Sequence, residues 1–491
     1  MDYILSFDVG TSAVKAALVS PEGEIAAVSD QAYPLYSPKP GYAEQDPQDY
    51  WQAACASAKR AIGSAKIKPS QVKGVVFSTQ WKGIIPIDRQ GVTLHPNILW
   101  LDARAAEQSD RLNSKMGCFV GPASQYWPRL MWVRENLPEI YDRAELLLCV
   151  DSYLKWKATG QATADVTNSF IRADDSNLQD YYDRILCAGN LDANKFPPIT
   201  SATEEAGKVT RQAAEELGIC PGTKVFGGCG DIPAIAIGAG CVGLGKEHMY
   251  LGSSGWMGRV DPKPMLAENF LFQALEAGRF LTVSGMQSAC MSQNWAIDVL
   301  YSQEKKQMGD DIFALIDQET GAVPPGADHL VATPWIHGET PPLSRFAHGM
   351  FVNLHACHTR AHMIVALRES IAYHLRMRRE LLDGASPASP MRIVGGGAKS
   401  DQWMQAFADI LDTPVEVPAN ARHAGALGAA ACAAVGLGWW GSLTEADQRI
   451  GVQSTYEPRA QYATCYDRLY QAFCALYPAL KNVFESLNQE D

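Results

Sequence analysis

Apolar positions alternating with polar ones open the chain. Ile4 to Phe7, Ala13 to Val19 and Glu24 to Val28 read as three strands, joined by tight turns at Gly10 and at Pro21-Glu22-Gly23, an antiparallel meander. Asp46 followed by Pro47 marks a helix start, and the pattern predicts a helix to about Ile62 with Asp46 as its N-cap. Val72 to Phe77 then reads as a buried strand and Ile84 to Ile87 as a short one closed by the turn Asp88-Arg89-Gln90-Gly91. Ala103 to Asn113 and Leu130 to Asn136 carry helical spacing.

A second strand-rich stretch runs from His248 to Leu251, turns through Gly252-Ser253-Ser254-Gly255 and continues from Trp256 to Val260, repeating the opening strand, glycine turn and strand. Thr359 to Leu382 reads as a long helix with Met363, Leu367, Ile371 and Leu375 as one buried stripe, ended by Pro387 and Pro390. Met391 to Val394 is a strand feeding Gly395-Gly396-Gly397, and the helix after it places Trp403, Phe407 and Ile410 on one face. The expected fold class is mixed α/β.

Length and charge narrow the picture. Single cores stop growing below about 300 residues, so a chain of 491 residues is expected to form two domains, dividing between Gly240 and Lys246. A formal charge of -12 disfavours nucleic acid or an anionic membrane as partner, and an anionic substrate would need a local basic pocket. Twelve cysteines without a C-x-x-C pair fit reduced thiols and a cytoplasmic location. The opening apolar stretch is too short for a signal peptide, and no window approaches the ~20 apolar residues of a membrane span.

Candidate chemistry sits at the glycine turns. In DVGTSAVK, Asp8 to Lys15, a carboxylate ends an apolar strand and a Gly-Thr-Ser turn presents N–H groups and hydroxyls, a nest suited to phosphate oxygens or a plain hairpin. The turn Gly252-Ser253-Ser254-Gly255 is its counterpart, since a triphosphate spreads charge over more oxygens than one turn can hold. No G-x-x-x-x-G-K-[ST] is present, so a nucleotide site here is not a P-loop. Gly395-Gly396-Gly397-Ala398 lets a flat ligand such as adenosine approach the backbone, or simply makes a turn.

Asp231, in GGCGDIPAIAIGAG, is either a proton acceptor or the N-cap of the segment that follows. Gln80-Trp81-Lys82 after a buried strand, and Trp100-x-Asp102-x-Arg104, read as ligand-facing edges or as a solvated loop and a surface ion pair. His355, His358 and His362 invite a metal reading, but no acid lies beside them in sequence and the apolar stripe already explains their helix.

Together DVGTSAVK, the GYAEQDP block from Gly41 to Pro47, the Gln80 loop, Trp100-x-Asp102-x-Arg104, GGCGD and GGGAKSDQW resemble the FGGY carbohydrate kinases, in the same order along nearly the whole chain. PRLMWVREN from Pro128 and HGMFVNLHACHTRAHMIVALRE from His348 are similar to that family's two recognition patterns. The resemblance implies a duplicated, actin- and hexokinase-like (ribonuclease H-like) two-domain fold closing over ATP, Mg²⁺ and a sugar. Residues 1–243 would hold the sugar and the base, and residues 244–491 the ATP. It places Asp8 and Asp231 at the metal, with Asp231 also the base; Gly10, Thr11, Ser12 and Lys15 at the phosphates; Gly252, Ser253 and Ser254 at the γ-phosphate; and Gly396, Gly397, Ala398 and Asp401 at the adenosine side. Gln80, Trp81, Lys82, Trp100, Asp102, Arg104, Asp231 and Ile232 fall at sugar-contacting positions.

Within that family the Glu44-Gln45-Asp46-Pro47 block is similar to that of the xylulokinases, so phosphorylation of D-xylulose is the expected reaction, with gluconate, ribulose, another pentulose or a polyol as alternatives. Trp81 and Lys82 stand where xylulokinases have Met and His, and Ile232 where an Asn follows the base. The Lys82 ammonium suits a substrate carboxylate, as in a sugar acid, or an ion pair with Asp102 or another carboxylate. A homodimer follows by analogy alone. Two rivals are an actin- or chaperone-like ATPase switch and an inactive sugar-binding regulator; the Glu44 and Trp100 blocks oppose the first, and the retained Asp8 and Asp231 oppose the second.

Overall fold

Two seven-stranded sheets carry the chain, and they repeat one topology. The computed structural model describes residues 1–173, 175–265, 271–276, 278–340, 342–382 and 390–488; Pro387 lies outside the described residues. In the first sheet Tyr3–Val9, Ala13–Val19 and Ile25–Ala32 form the antiparallel meander expected from the alternation. Val72–Thr79 joins Tyr3–Val9 in parallel, Lys224–Phe226 follows in parallel, and Glu205–Lys208 closes the edge antiparallel. In the second sheet Glu247–Leu251, Gly255–Asp261 and Arg279–Met286 are the antiparallel trio. Met391–Val394 and Val415–Pro418 are the parallel pair and Val452–Tyr456 the antiparallel edge. Leu271–Glu276 is one further strand beyond the trio. The echo of strand, glycine turn and strand is therefore one corner of a duplicated two-domain α/β fold.

Local rules account for several boundaries. The Asp46 side chain accepts from the Gln48 N–H at 2.9 Å with Pro47 at the first helical position, and the helix runs Pro47–Ala65, three residues past Ile62. Helices at Ala106–Met116 and Tyr126–Asn136 replace the expected ranges from Ala103 and Leu130, and Trp403, Phe407 and Ile410 are buried on the helix Asp401–Leu411.

The long helix, Arg360–Glu380, corrects the expectation of one apolar stripe. Arg368, Glu369, His374 and Arg378 are buried along with Leu367, Ile371 and Leu375, while Met363 is only partly covered. Neighbours supply their partners: Glu369 accepts the Gly326 N–H at 2.8 Å and the Tyr466 hydroxyl at 2.9 Å. Burial still pushes the Glu369 carboxyl up to about 7. A raised carboxyl favours the folded state below its unfolded value and loses that contribution as pH rises through about 7. Glu369→Gln keeps the accepting oxygen and removes the charge. The variant should unfold at the parent's temperature at pH 4.5 and above it at pH 8, by up to about 3 kcal/mol in stability. An equal or lower midpoint at pH 8 contradicts this.

The helix Ala424–Gly436 belongs to the second half in sequence but lies on the first sheet, buried from Ala424 to Ala434. Ser6 Oγ donates to its Ala426 carbonyl at 2.6 Å. It packs against the helix Asp231–Gly238 at backbone distance: a Cβ on Gly428 would lie 1.8 Å from the Ala234 carbonyl oxygen, and one on Gly238 1.8 Å from that of Ala424. Small residues on both helices permit this contact and fix where Asp231 sits.

Candidate active site

The first glycine turn is anchored by its carbonyls. Gly10 O accepts from the Tyr33 hydroxyl, Thr11 O from Gln45 Nε2 at 2.7 Å, and Ser12 O from the Tyr33 N–H at 3.2 Å. The Trp100 indole N–H donates to Thr11 Oγ1 at 3.0 Å. With the carbonyls turned inward, the N–H groups of Thr11 and Ser12 have no protein partner among the described residues, and Ser12 is exposed. Such a set of free N–H groups is an anion cradle.

The second turn is built the same way. Gly252 O accepts from Cys290 N–H at 3.0 Å, Ser253 O from Ala289 N–H at 2.9 Å and Met291 N–H at 3.1 Å, and Ser254 O from Gly252 N–H at 3.0 Å. The donors are mostly the start of the helix Cys290–Leu300, and the N–H groups of Ser253 and Ser254 again have no protein partner among the described residues. Gly395 lies directly against this turn: its φ of 105° and a Cβ position 2.4 Å from the Leu251 carbonyl oxygen admit only glycine. Gly396 is exposed with nothing within 4 Å of a Cβ, whereas Gly397 and Ala398 are buried. Asp401 is exposed and accepts from the Tyr456 hydroxyl at 2.6 Å.

Asp231 is the first residue of its helix, with Gly230 rather than Asp231 as N-cap, and its Oδ1 accepts the Ile232 N–H at 2.9 Å. Burial, then the charge of Asp8, push its carboxyl up to about 7, while the Ile232 N–H and Lys82 act the other way. Asp8 pairs with Lys15 at 3.2 Å and lies against Gly425 in the first turn of Ala424–Gly436, where a Cβ would come within 3.0 Å of its carboxyl carbon.

Lys82 lies within electrostatic reach of Asp231. Its ammonium lies 5.5 Å from the Trp81 ring and 5.7 Å from that of Phe170, with no carboxylate in ion-pair range among the described residues. Asp102 is thus not its partner. Burial and Arg129 push Lys82 down to about 7 against the pull of Asp231. Lys82 at φ 59° and Phe170 at φ 49° both occupy the left-handed region, at a cost of order 1–3 kcal/mol each. Trp81 is buried with its indole N–H unpartnered among the described residues, against Gly230, where a Cβ would lie 2.0 Å from that nitrogen.

Gln80 is buried and donates to Gln45 Oε1 at 3.1 Å, leaving its own Oε1 without a partner among the described residues. Asp102 and Arg104 differ from the expected ligand edge. Asp102 accepts from Arg104 Nε at 2.8 Å, Arg104 Nη2 at 2.7 Å and the Ala43 N–H at 2.6 Å. Arg104 also reaches Glu44 at 2.6 Å and stacks on the Tyr42 ring at 3.8 Å. These groups are spent on one another in a buried network. Ile232 is buried, 8% exposed, beside Asp231.

Phe170 and Tyr250 were not singled out from the sequence. Tyr250 stacks on Trp256 with ring centroids 4.1 Å apart, and its hydroxyl covers Gly252, 2.4 Å from where a Cβ would sit. Burial, Asp8 and Asp231 all raise the Tyr250 phenol. Its place two residues before the glycine turn was the available signal.

This duplicated α/β architecture is shared with solved kinases. A gluconate kinase from Lactobacillus acidophilus superposes with a TM-score of 0.87 at 22% identity, covering 99% of this chain and 100% of that one. A ligand-bound xylulose kinase from the same organism gives 0.86 at 23%, covering 99% and 100%. A Xylulose kinase of Bacillus subtilis (strain 168) is 28% identical over 507 residues, 99% of each chain. The FGGY family of carbohydrate kinases matches with its N-terminal domain over residues 3–238 and its C-terminal domain over residues 248–437. The chain belongs to the FGGY family of carbohydrate kinases and is an ATP-dependent sugar kinase.

Proposed function

We propose that this kinase transfers the γ-phosphoryl group of ATP to a hydroxyl of D-xylulose, giving D-xylulose 5-phosphate. The observation that carries the transfer is the pair of glycine turns whose carbonyls are held by the protein, leaving N–H groups without a partner among the described residues, together with a carboxylate raised to about 7. The choice of sugar rests on relatives named xylulose kinase. Gly10, Thr11, Ser12 and Lys15 hold one end of the phosphate chain and Gly252, Ser253 and Ser254 the other, while Gly396, Gly397, Ala398 and Asp401 lie at the adenosine side. Gln80, Trp81, Lys82, Trp100 and Ile232 face the sugar, and Asp102 and Arg104 stiffen that wall. Asp231 takes the proton of the attacking hydroxyl.

Asp8 and Asp231 fit a hard divalent cation: the Asp8 charge raises the Asp231 carboxyl, and their oxygens suit Mg²⁺. Bound with ATP, Mg²⁺ supplies charge neutralisation for the transferred group. Residues 1–243 form the sugar-binding domain and 244–491 the ATP-binding domain. We place the enzyme in the cytoplasm as a homodimer, with all twelve cysteines as free thiols.

One observation favours a second reading. A half-buried Lys82 whose ammonium has no counterion among the described residues suits a substrate that brings its own carboxylate, a sugar acid. ADP release with MgATP should be measured over D-xylulose, L-xylulose, ribulose, glycerol and gluconate, for the parent and for Lys82→Gln. With D-xylulose as substrate, Lys82→Gln should change KM by less than about threefold. With a sugar acid, KM should rise tenfold or more, the loss of about 1.4 kcal/mol or more of a charge-assisted contact. Since Lys82 is charged below about 7, KM for an acid should also climb as pH rises past that point. No ADP release with any of these compounds sinks both readings.

A further inference from the structure

Next to the segment that carries the candidate base lies a cluster of fully buried charge. Asp151, Lys155 and Asp165 are all fully buried. Lys155 Nζ lies 3.1 Å from Asp151 Oδ2 and donates to the Gly227 carbonyl at 3.0 Å. Asp165 Oδ1 accepts the Thr167 N–H at 2.7 Å and the Thr167 hydroxyl, while its Oδ2 accepts from Asn168 Nδ2 at 3.0 Å. Thr167 Oγ1 in turn accepts the Gly230 N–H at 2.8 Å.

We propose that Thr167, oriented by Asp165, is a positioning residue for the base: its hydroxyl fixes the Cys229–Gly230 peptide, immediately before Asp231. Burial, then the charge of Asp151, push the Asp165 carboxyl up to about 7; once ionised it only accepts, so the Thr167 hydrogen is then committed to Asp165 and its lone pair is aimed at Gly230. Lys155 holds the other end of the same loop at Gly227. The segment Gly227–Asp231 is thereby clamped at both ends by buried charge, between the strand Val72–Thr79 on which Cys229–Gly230 pairs and the Trp81 ring packed on Gly230. The cost of burying these ions is offset through Asp151 Oδ2, Lys155 and both oxygens of Asp165, with Asp151 Oδ1 alone unpartnered among the described residues, and these bonds hold the geometry passed to Asp231.

The inference rests on Asp231 as the base, so Asp231→Asn is assayed beside the Thr167 variants. Thr167→Val keeps the shape and removes the hydroxyl; Thr167→Ser keeps the hydroxyl. Expected is a fall in kcat of about 10- to 100-fold for Thr167→Val, from misplacement of a reacting group, with KM for MgATP within about twofold and Thr167→Ser within about threefold of the parent. Parental kcat in Thr167→Val, or equal loss in Val and Ser variants that both melt with the parent, overturns the proposal. Full turnover by Asp231→Asn would instead remove the base assignment itself. If Thr167→Val does not fold, Asp165→Asn decides: a fall in kcat of about fivefold or more at unchanged KM supports the clamp, and parental kcat overturns it.

Discussion

Asp231→Asn should lower kcat by about 10²- to 10⁴-fold while leaving the affinity for metal-free ATP nearly intact, because the variant removes a general base and one metal-facing carboxylate but little of the phosphate cradle. The turns at Gly10–Ser12 and Gly252–Ser254 are held by Tyr33, Gln45 and the start of the helix Cys290–Leu300, none of which involves Asp231. The parent should show its own signature. With the carboxyl raised to about 7, kcat/KM for a neutral sugar rises with pH up to about 7 and then levels, since only the ionised form accepts a proton. Removing the charge of Asp8 should move that limb to lower pH, because Asp8 is, after burial, the largest cause of the shift. Removing Lys82 should move it higher. Steady-state kinetics with a coupled ADP readout, alongside calorimetric titration of ATP, checks each part; a parental kcat in Asp231→Asn would discard the base.

Gly428→Ala is expected to be among the most damaging single methyl additions at the described residues, on a par with Gly238→Ala. Its Cβ would meet the Ala234 carbonyl oxygen at 1.8 Å, and that oxygen belongs to a helix backbone with no rotamer to change. Overpacking typically costs about 1–3 kcal/mol, and a clash with backbone falls at or beyond the upper end. The two helices would have to separate, carrying Asp231 on one and the Asp8 contact at Gly425 on the other. Loss of soluble protein, or a clear fall in thermal midpoint together with lowered kcat, is the expected outcome. Gly396→Ala is the control: nothing lies within 4 Å of its Cβ, so its midpoint should match the parent's. Equal melting of both variants would show that the helices do not approach as described.

What could be read in advance divides along the range of the forces involved. The meander, the Asp46 cap and the buried face of Trp403, Phe407 and Ile410 follow from local alternation, side-chain capping and helical spacing, and these were legible. The helix Ala424–Gly436 was not, because AGALGAAACAAVG is apolar and small on every side and carries no periodic face. Its placement on the first sheet is a purely tertiary fact. Arg360–Glu380 misled for the opposite reason: its charged residues find buried partners on distant segments, such as Glu369 with Gly326 and Tyr466. The motif at Trp100 to Arg104 was visible as alternating polar and aromatic groups, but its carboxylate and guanidinium turned out to satisfy each other. Lys82 was visible as a cation; that it sits over two aromatic rings, in a left-handed backbone and within electrostatic reach of Asp231, needed three dimensions.

The contact between Asp231–Gly238 and Ala424–Gly436 has the form of a symmetric dimer interface folded into one chain. Each helix follows the second parallel strand of its own sheet, and late Gly238 meets early Ala424 while Gly428 meets Ala234, so each helix offers the other a glycine and receives a carbonyl. In an assembly of two identical subunits such an isologous surface would create two equal sites. Here one helix begins with the carboxylate of Asp231, and the other begins with Ala424 and Gly425, whose missing side chain admits Asp8. The two sheets share one scaffold, and the departure from symmetry at the two helix starts sets Asp8 and Asp231 to act on each other once, as the proposed transfer requires.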